Sequence, residues 1–204
     1  MSESPGATAL ARIHADKNDM GLHAMGGEGI SRGREEILPY FFGEERGLYA
    51  CHHFPFTGSA HEAVLICSAT GHEYERCHRA TRQLAVQLAR AGYATMRFDY
   101  SGTGDSAGGY AQASLAQWQR DVVVAADECR RRSGREHLCM VGVRLGAALA
   151  AQVAAGRNDA SHLVLYAPVM DGASLLAEWQ REQADFDRKY SRATERVPNE
   201  VLGF

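Results

Sequence analysis

The chain has 204 residues, 45% of them apolar, and a formal net charge of -3. A chain of this length and composition can bury a core without disulfides or a structural metal. Its mild acidity gives no electrostatic basis for binding nucleic acid or an anionic membrane surface. No apolar run approaches the roughly 20 residues that cross a bilayer, so no membrane span is expected.

The N-terminus has neither the basic nor the apolar region of a secretory signal peptide. The five cysteines are scattered without C-x-x-C spacing, which is typical of a reducing compartment and predicts a cytoplasmic protein. Residues 1–36 contain no aromatic residue and no sustained apolar face, so we predict a flexible N-terminal tail. A core is expected over residues 37–175. Residues 176–204 are predicted to hold a charged, exposed helix, Glu178–Lys189, and then a linker or the start of a lid.

Strand and helix patterns alternate from Tyr40 onward. Strands are predicted at Leu48–Phe54, Ala63–Cys67, Tyr93–Phe98, His137–Val141 and His162–Ala167, and helices over residues 73–91, 114–132 and 145–155. Strands that alternate with helices form a parallel sheet with right-handed crossovers and helices on both faces. The sequence therefore predicts the α/β class with a mostly parallel sheet.

The first glycine motif follows the Tyr93–Phe98 strand. Gly102, Gly104 and Ala107 satisfy the dinucleotide fingerprint G-x-G-x-x-G/A. A true fingerprint opens directly into a helix whose N-terminus holds the pyrophosphate, whereas here the next helix begins only near Ser114. A glycine-shaped loop after a central strand fits better than a nucleotide site, and no cofactor is predicted.

The second glycine motif joins a buried strand to a helix of small residues. Gly142 and Gly146 stand two positions on either side of Arg144. This is the frame of the nucleophile elbow, G-x-S-x-G, in which a tight turn lifts the central side chain above the sheet. The central residue of the frame is an arginine here.

Together these blocks resemble the α/β-hydrolase superfamily, in particular its serine aminopeptidase S33 and esterase-like branch. The likeness is carried by Ala63–Gly71, by Leu88–Tyr93 with Arg97–Ser106, and by Gly142–Gly146, and covers residues 46 to 175. The Arg97–Gly108 stretch is also similar to hydrolases that accompany exosortase systems. The resemblance implies acyl ester or amide hydrolysis, and an oxyanion hole formed by the Thr70–Gly71 loop and Leu145.

Three departures from the family pattern bear on activity. Arg144 stands at the nucleophile position, and a guanidinium has no usable lone pair. The family order is nucleophile, acid, histidine, but the only histidine after Arg144 is His162, at the start of a predicted strand. The strands that would carry the acid and histidine loops are missing, which indicates a C-terminally truncated fold. Asp171 is a candidate acid, although a turn aspartate before Gly172 is the better interpretation.

Other nucleophiles and metals find less support. Ser68, Ser101 and Ser106 lie in loops near the carboxyl ends of strands, but none has a glycine frame or a histidine to activate it. Cys139 lies inside a strand. The Cys51-His52-His53 run alternates between the faces of a strand, so no metal site is predicted.

Three hypotheses remain open. The chain is a pseudo-hydrolase that holds an anionic small molecule or partner at Arg144; or it is one part of a split or continued serine hydrolase; or it is a truncated product. A sheet without its far edge would need an oligomer or a partner to cover it.

Overall fold

The computed structural model describes residues 36–56 and 58–190. The tail predicted over residues 1–36 lies outside this range apart from Glu36, as do residues 191–204 of the predicted C-terminal segment. The strands are β1 (Ile37–Phe42), β2 (Leu48–His53), β3 (Ala63–Cys67), β4 (Ala94–Phe98), β5 (Leu138–Val143) and β6 (Ala160–Tyr166). The α-helices are α1 (His72–Arg90), α2 (Leu115–Ser133), α3 (Leu145–Ala155) and α4 (Gly172–Tyr190).

The six strands form one sheet in the order β1-β2-β4-β3-β5-β6. β2 runs antiparallel to both β1 and β4, while β4, β3, β5 and β6 are mutually parallel. This arrangement is a partial α/β-hydrolase fold and confirms the predicted α/β class with its mostly parallel sheet.

The central strand β3 shows why the sheet has helices on both faces. All five of its residues are buried. Ala63, Leu65 and Cys67 join the larger core, to which α2 contributes Val122 and α3 contributes Leu149. Val64 and Ile66 face the other way and pack with Ala85 of α1. Because successive strand residues point to opposite faces, a continuous apolar run needs cover on both sides.

The first strand was missed by the sequence patterns. β1 contains Pro39, which cannot donate to a sheet ladder and lowers the strand signal of the run. The structure tolerates this proline because β1 is the edge strand, paired only to β2.

The last helix begins earlier than the predicted charged helix. α4 starts at Gly172 and crosses the boundary that we placed at residue 175. It is also not exposed throughout, since Leu175 and Trp179 are buried. The prediction considered the charge of the segment and not its apolar spacing. Leu175 and Trp179 stand four residues apart, which places both on one face of the helix.

The opposite edge of the sheet leaves apolar surface open. Within the described residues β6 pairs only with β5, and Leu163, Val164, Leu165 and Tyr166 are all exposed. These successive side chains point to both faces of the sheet. An edge strand with unpaired backbone groups and apolar side chains is a template for association.

We therefore predict that the purified chain self-associates and that Val164→Lys weakens this association. Val164 is 50% exposed on the edge strand, and an edge lysine opposes strand pairing through its charge and desolvation. Sedimentation velocity at several protein concentrations measures the effect. Val123→Lys, at an exposed valine of helix α2, is the matched control and is expected to leave association unchanged. A wild-type chain that stays monomeric at all concentrations contradicts the prediction.

A second prediction concerns His52 and His53, neighbours on β2 that are both fully buried because both faces of the strand are covered. Burial lowers the pKa of each to about 4, whereas an unfolded histidine titrates near pH 6.5. Below about pH 6.5 the unfolded chain therefore binds protons that the folded chain does not. The contribution of these histidines to the free energy of unfolding is therefore fully present above about pH 6.5. It is lost as the pH drops toward 4, by about 1.4 kcal/mol per pH unit for each histidine.

Urea unfolding between pH 7.5 and pH 4.5 measures this dependence. His52→Leu should give a shallower profile, since both ring nitrogens of His52 are buried without a hydrogen-bond partner among the described residues. An unchanged slope in this variant would show that His52 does not contribute to the pH dependence.

Candidate functional site

The turn between β5 and α3 requires its two glycines. A Cβ on Gly142 would lie 2.3 Å from the Cα of Ala147, and a Cβ on Gly146 would lie 2.2 Å from the carbonyl oxygen of Ser68. Both distances are far shorter than a van der Waals contact, and the atoms that the Cβ would meet are backbone atoms that cannot move aside. The glycine frame thus lets α3 start directly against the end of β3.

Arg144, the centre of this β5–α3 turn, has a backbone conformation that is rare for a residue with a side chain. Its φ is 53° and its ψ is -119°, outside the regions that L-residues populate. Three hydrogen bonds hold it there: its N–H donates to the carbonyl of Tyr166 (3.0 Å), and its carbonyl accepts from the N–H groups of Ala147 (3.1 Å) and Val169 (3.3 Å). Strain of this kind is maintained by surrounding structure and clusters at functional sites.

The guanidinium of Arg144 binds two carboxylates of the chain itself. Nε donates to Oε1 of Glu73 over 2.6 Å, and Nη2 donates to Oε2 of Glu178 over 2.7 Å. Hydrogen bonding to Glu178, then to Glu73, raises the pKa of Arg144 above its already high value. Arg144 therefore stays a cation at any physiological pH and cannot attack an acyl carbon.

Helix α4 packs beside this ion-pair cluster. The ring of Trp179 meets the ring of His72 edge-on, with centroids 5.3 Å apart. Glu182 accepts from Nη1 of Arg76 at 2.9 Å and lies 3.2 Å from Nε2 of His72. Trp179 and Glu182 of α4 thus contact the start of α1, and Glu178 of α4 contacts Arg144 of the β5–α3 turn.

The predicted oxyanion-hole residues lie at the same edge of the sheet. Thr70 is buried, and within the described residues its Oγ1 has no hydrogen-bond partner. Gly71 precedes α1 with a φ of 62°, a left-handed conformation suited to glycine. Leu145 is the first residue of α3. Because Gly146 touches the carbonyls at the end of β3, the β3–α1 loop and the start of α3 are brought together around Arg144.

Asp171, the candidate acid, and His162, the histidine that follows Arg144 in the chain, make different contacts. Asp171 is exposed and begins α4: its carboxylate accepts from the N–H (2.8 Å) and the hydroxyl (2.6 Å) of Ser174. These hydrogen bonds lower the pKa of Asp171, as expected of a helix cap. The side chain of His162 is 71% exposed, and its Nδ1 lies 3.7 Å from Glu62.

The first glycine motif forms a loop built around buried carboxylates. Oδ1 of Asp99 accepts from the hydroxyl of Tyr74 (2.8 Å), and Oδ2 accepts from the N–H of Asp105 (3.1 Å). Gly104 is required because a Cβ there would lie 2.1 Å from Oδ2 of Asp99. Asp121 accepts from the N–H of Ser101 (2.8 Å). The amides of Ser101 and Asp105 are thus already bound to carboxylates. This favours the glycine-shaped loop over a phosphate-binding loop.

Two of the alternative nucleophiles, Ser101 and Ser106, are held in hydrogen bonds within the β4–α2 loop and to its neighbours. Oγ of Ser106 donates to the carbonyl of Asp99 (2.6 Å) and accepts from the N–H of Tyr49 (2.9 Å). Oγ of Ser101 donates to Asp121 (3.0 Å). Ser68 is buried. None of the hydrogen bonds described for these serines comes from a histidine, so the geometry offers no general base for them.

Among residues 36–56 and 58–190, no group of three His, Cys, Asp or Glu side chains is arranged to hold a metal ion. No helix in this part of the chain is both long and apolar enough to cross a membrane.

Sequence reasoning missed Glu73 and Glu178. Glu73 was signalled only by its place in the first turn after the Thr70–Gly71 loop, at the edge of the sheet that carries Arg144. Glu178 was signalled by helical spacing, since with Leu175, Trp179 and Glu182 it falls on one face at i, i+3, i+4 and i+7. Neither signal by itself points to Arg144.

The fold is similar to that of solved α/β hydrolases. An α/β serine hydrolase homologue from Coxiella burnetii superposes with a TM-score of 0.56 at 19% identity, over 70% of this chain and 68% of that one. The mouse α/β hydrolase domain-containing protein 10 gives 0.52 at 19% identity, over 81% and 68%. A thermostable carboxyl esterase from Bacillus coagulans gives 0.55 at 16% identity, over 74% and 51%. At such identities the likeness shows the fold alone, and the chain spans between half and about two thirds of each structure.

The sequence has no match among curated proteins. A family model, described as serine aminopeptidase S33, matches residues 58–198. The match takes in β3, the loop around Asp99, the β5–α3 turn and helix α4. The chain belongs to the serine aminopeptidase S33 family of α/β hydrolases.

Proposed function

We propose that this chain is a non-catalytic member of an acyl ester and amide hydrolase lineage, in which an ion-pair cluster replaces the nucleophile. One observation carries the proposal. Arg144 occupies the strained centre of the Gly142–Gly146 frame, the position of the nucleophile in an elbow, and its guanidinium is bound by Glu73 and Glu178.

None of the hydrogen bonds described for the β5–α3 turn comes from a histidine, and His72, beside the ion-pair cluster, lies against Glu182 and Trp179. Acyl transfer by a hydroxyl needs a base within hydrogen-bond reach. Tyr166, at the end of β6, accepts from the N–H of Arg144, and His162 lies four residues upstream on the same strand. Four residues of strand span about 13 Å, so His162 lies toward the opposite edge of the sheet. Asp171, engaged as the cap of α4, has no histidine to orient.

Two further functions have specific support. The first is binding of an anionic small molecule at Arg144, favoured because the guanidinium already holds two carboxylates. The second is a hydrolase completed by another polypeptide along β6, favoured by the exposed apolar edge of that strand and by the larger size of the similar structures. Arg144 argues against catalysis in the second case as well.

We place the protein in a reducing compartment, the cytoplasm. The support is that all five cysteines are free thiols. Two of them, Cys67 and Cys129, are fully buried, and burial raises their pKa values, which makes them inert packing residues.

We predict that neither the wild-type chain nor Arg144→Ser hydrolyses p-nitrophenyl butyrate above the rate in buffer. A restored hydroxyl would still lack a base, and an unactivated serine is a poor nucleophile. The measurement is release of p-nitrophenol, together with mass spectrometry after treatment with a fluorophosphonate, which labels activated serines.

An active carboxyl esterase assayed in parallel is the positive control, and circular dichroism verifies that Arg144→Ser is folded. Turnover by either chain, or a stoichiometric fluorophosphonate adduct, contradicts the proposed lack of catalysis. The wild-type measurement keeps the proposal testable if Arg144→Ser does not fold.

A further inference from the structure

The ion-pair cluster at Arg144 has a buried half and an open half. The side chain of Glu73 is 14% exposed and belongs to the first turn of α1. The side chain of Glu178 is 46% exposed and belongs to α4. Half-exposed ion pairs contribute little net stability, because water screens the charges and the side chains lose freedom when they pair. Glu178 is therefore the partner that can leave.

The departure of Glu178 does not require α4 to leave. The helix is also held by the ring of Trp179 against His72 and by the contacts of Glu182 with Arg76 and His72. None of these contacts involves Arg144. A change of rotamer at Glu178 thus opens Nη2 of Arg144 while the surrounding walls stay in place.

The charge balance defines what would replace Glu178. One guanidinium and two carboxylates give the cluster a net charge of -1. Once Glu178 turns away, Arg144 and Glu73 balance and one further negative charge restores the original count. A monoanion fits this exchange, whereas a dianion would add an uncompensated charge beside Glu73.

The donors point to a carboxylate in particular. The guanidinium presents its N–H groups in a planar fork that matches two carboxylate oxygens, and in this structure its partners are already carboxylates.

The neighbourhood of the turn supplies apolar surface for the remainder of the ligand. Tyr166 accepts from the N–H of Arg144 and Val169 donates to its carbonyl. Tyr166 and Met170, the residue after Val169, both expose large apolar side chains. An alkyl chain could cover this surface at the mouth of the site.

We propose that the site at Arg144 binds a monocarboxylate with a short apolar chain, and that the ligand carboxylate replaces Glu178 on the guanidinium. The inference rests on the proposed non-catalytic function, since it uses Arg144 as the binding group. It goes further in naming the ligand class and in making Glu178 an intramolecular competitor of the ligand.

Isothermal titration with hexanoate at fixed ionic strength tests the competition. Glu178→Gln removes the competing charge while keeping the shape of the side chain, and should bind hexanoate about five-fold more tightly than wild type, because a larger fraction of the sites is open. Glu182→Gln, one turn further along α4 and bonded to Arg76 and His72 rather than Arg144, is the matched control and should behave as wild type. Arg144→Gln should abolish binding.

Two further ligands test the chemistry. Hexanamide, neutral and of equal length, should not bind, and inorganic phosphate should bind more weakly than hexanoate. NMR of the Arg144 Nε–Hε group locates the effect: hexanoate should shift this signal in wild type and in Glu178→Gln.

The proposal is overturned if Glu178→Gln binds hexanoate no more tightly than wild type, if hexanamide or phosphate binds equally well, or if the Arg144 signal does not move. The NMR result keeps the test decisive should Arg144→Gln fail to fold. Esterase turnover would instead overturn the non-catalytic function, and absence of both turnover and hexanoate binding would overturn this inference alone.

Discussion

The contact between Gly146 and the carbonyls at the end of β3 determines the geometry of everything around Arg144. With no side chain at this position, helix α3 starts against the central strand, and the β3–α1 loop meets the β5–α3 turn. On the other side of the turn, Gly142 leaves room for the backbone of Gly146 and Ala147 at the start of α3. The residue between the two glycines is then forced to a positive φ, so the position carries strain whichever side chain occupies it.

Acidic side chains satisfy the donors that collect at this edge of the sheet. Asp99 and Asp121 bind the amides of the glycine loop after β4, and Glu73 and Glu178 bind the guanidinium of Arg144. The carboxyl edge of a parallel sheet gathers N–H groups at helix N-termini, which favour negative charge. In this chain carboxylates of the protein itself supply that negative charge at the amides of Ser101 and Asp105 and at Arg144.

Local patterns predicted much of the fold. The strand predicted at Ala63–Cys67 is β3, and the helix predicted from residue 114 is α2, with Ser114 accepting from the N–H of Gln117 at 3.2 Å. Both patterns depend on residues close in sequence. β1 was missed since Pro39 lowers the strand signal of an edge strand. The burial of His52 and His53 was missed for a different reason: whether both faces of β2 are covered depends on helices that lie far away in the sequence.

The chemistry of the central position follows from the amino-acid sequence. The glycine frame with an arginine at its centre excludes a nucleophile there, because a guanidinium offers no lone pair at any accessible pH. What the arginine binds instead depends on the tertiary structure. Its two partners lie 71 residues before it and 34 residues after it, on helices whose approach depends on the packing of the whole sheet. Ion pairs over such separations have no local pattern, since they form only after the core has placed the helices that carry them.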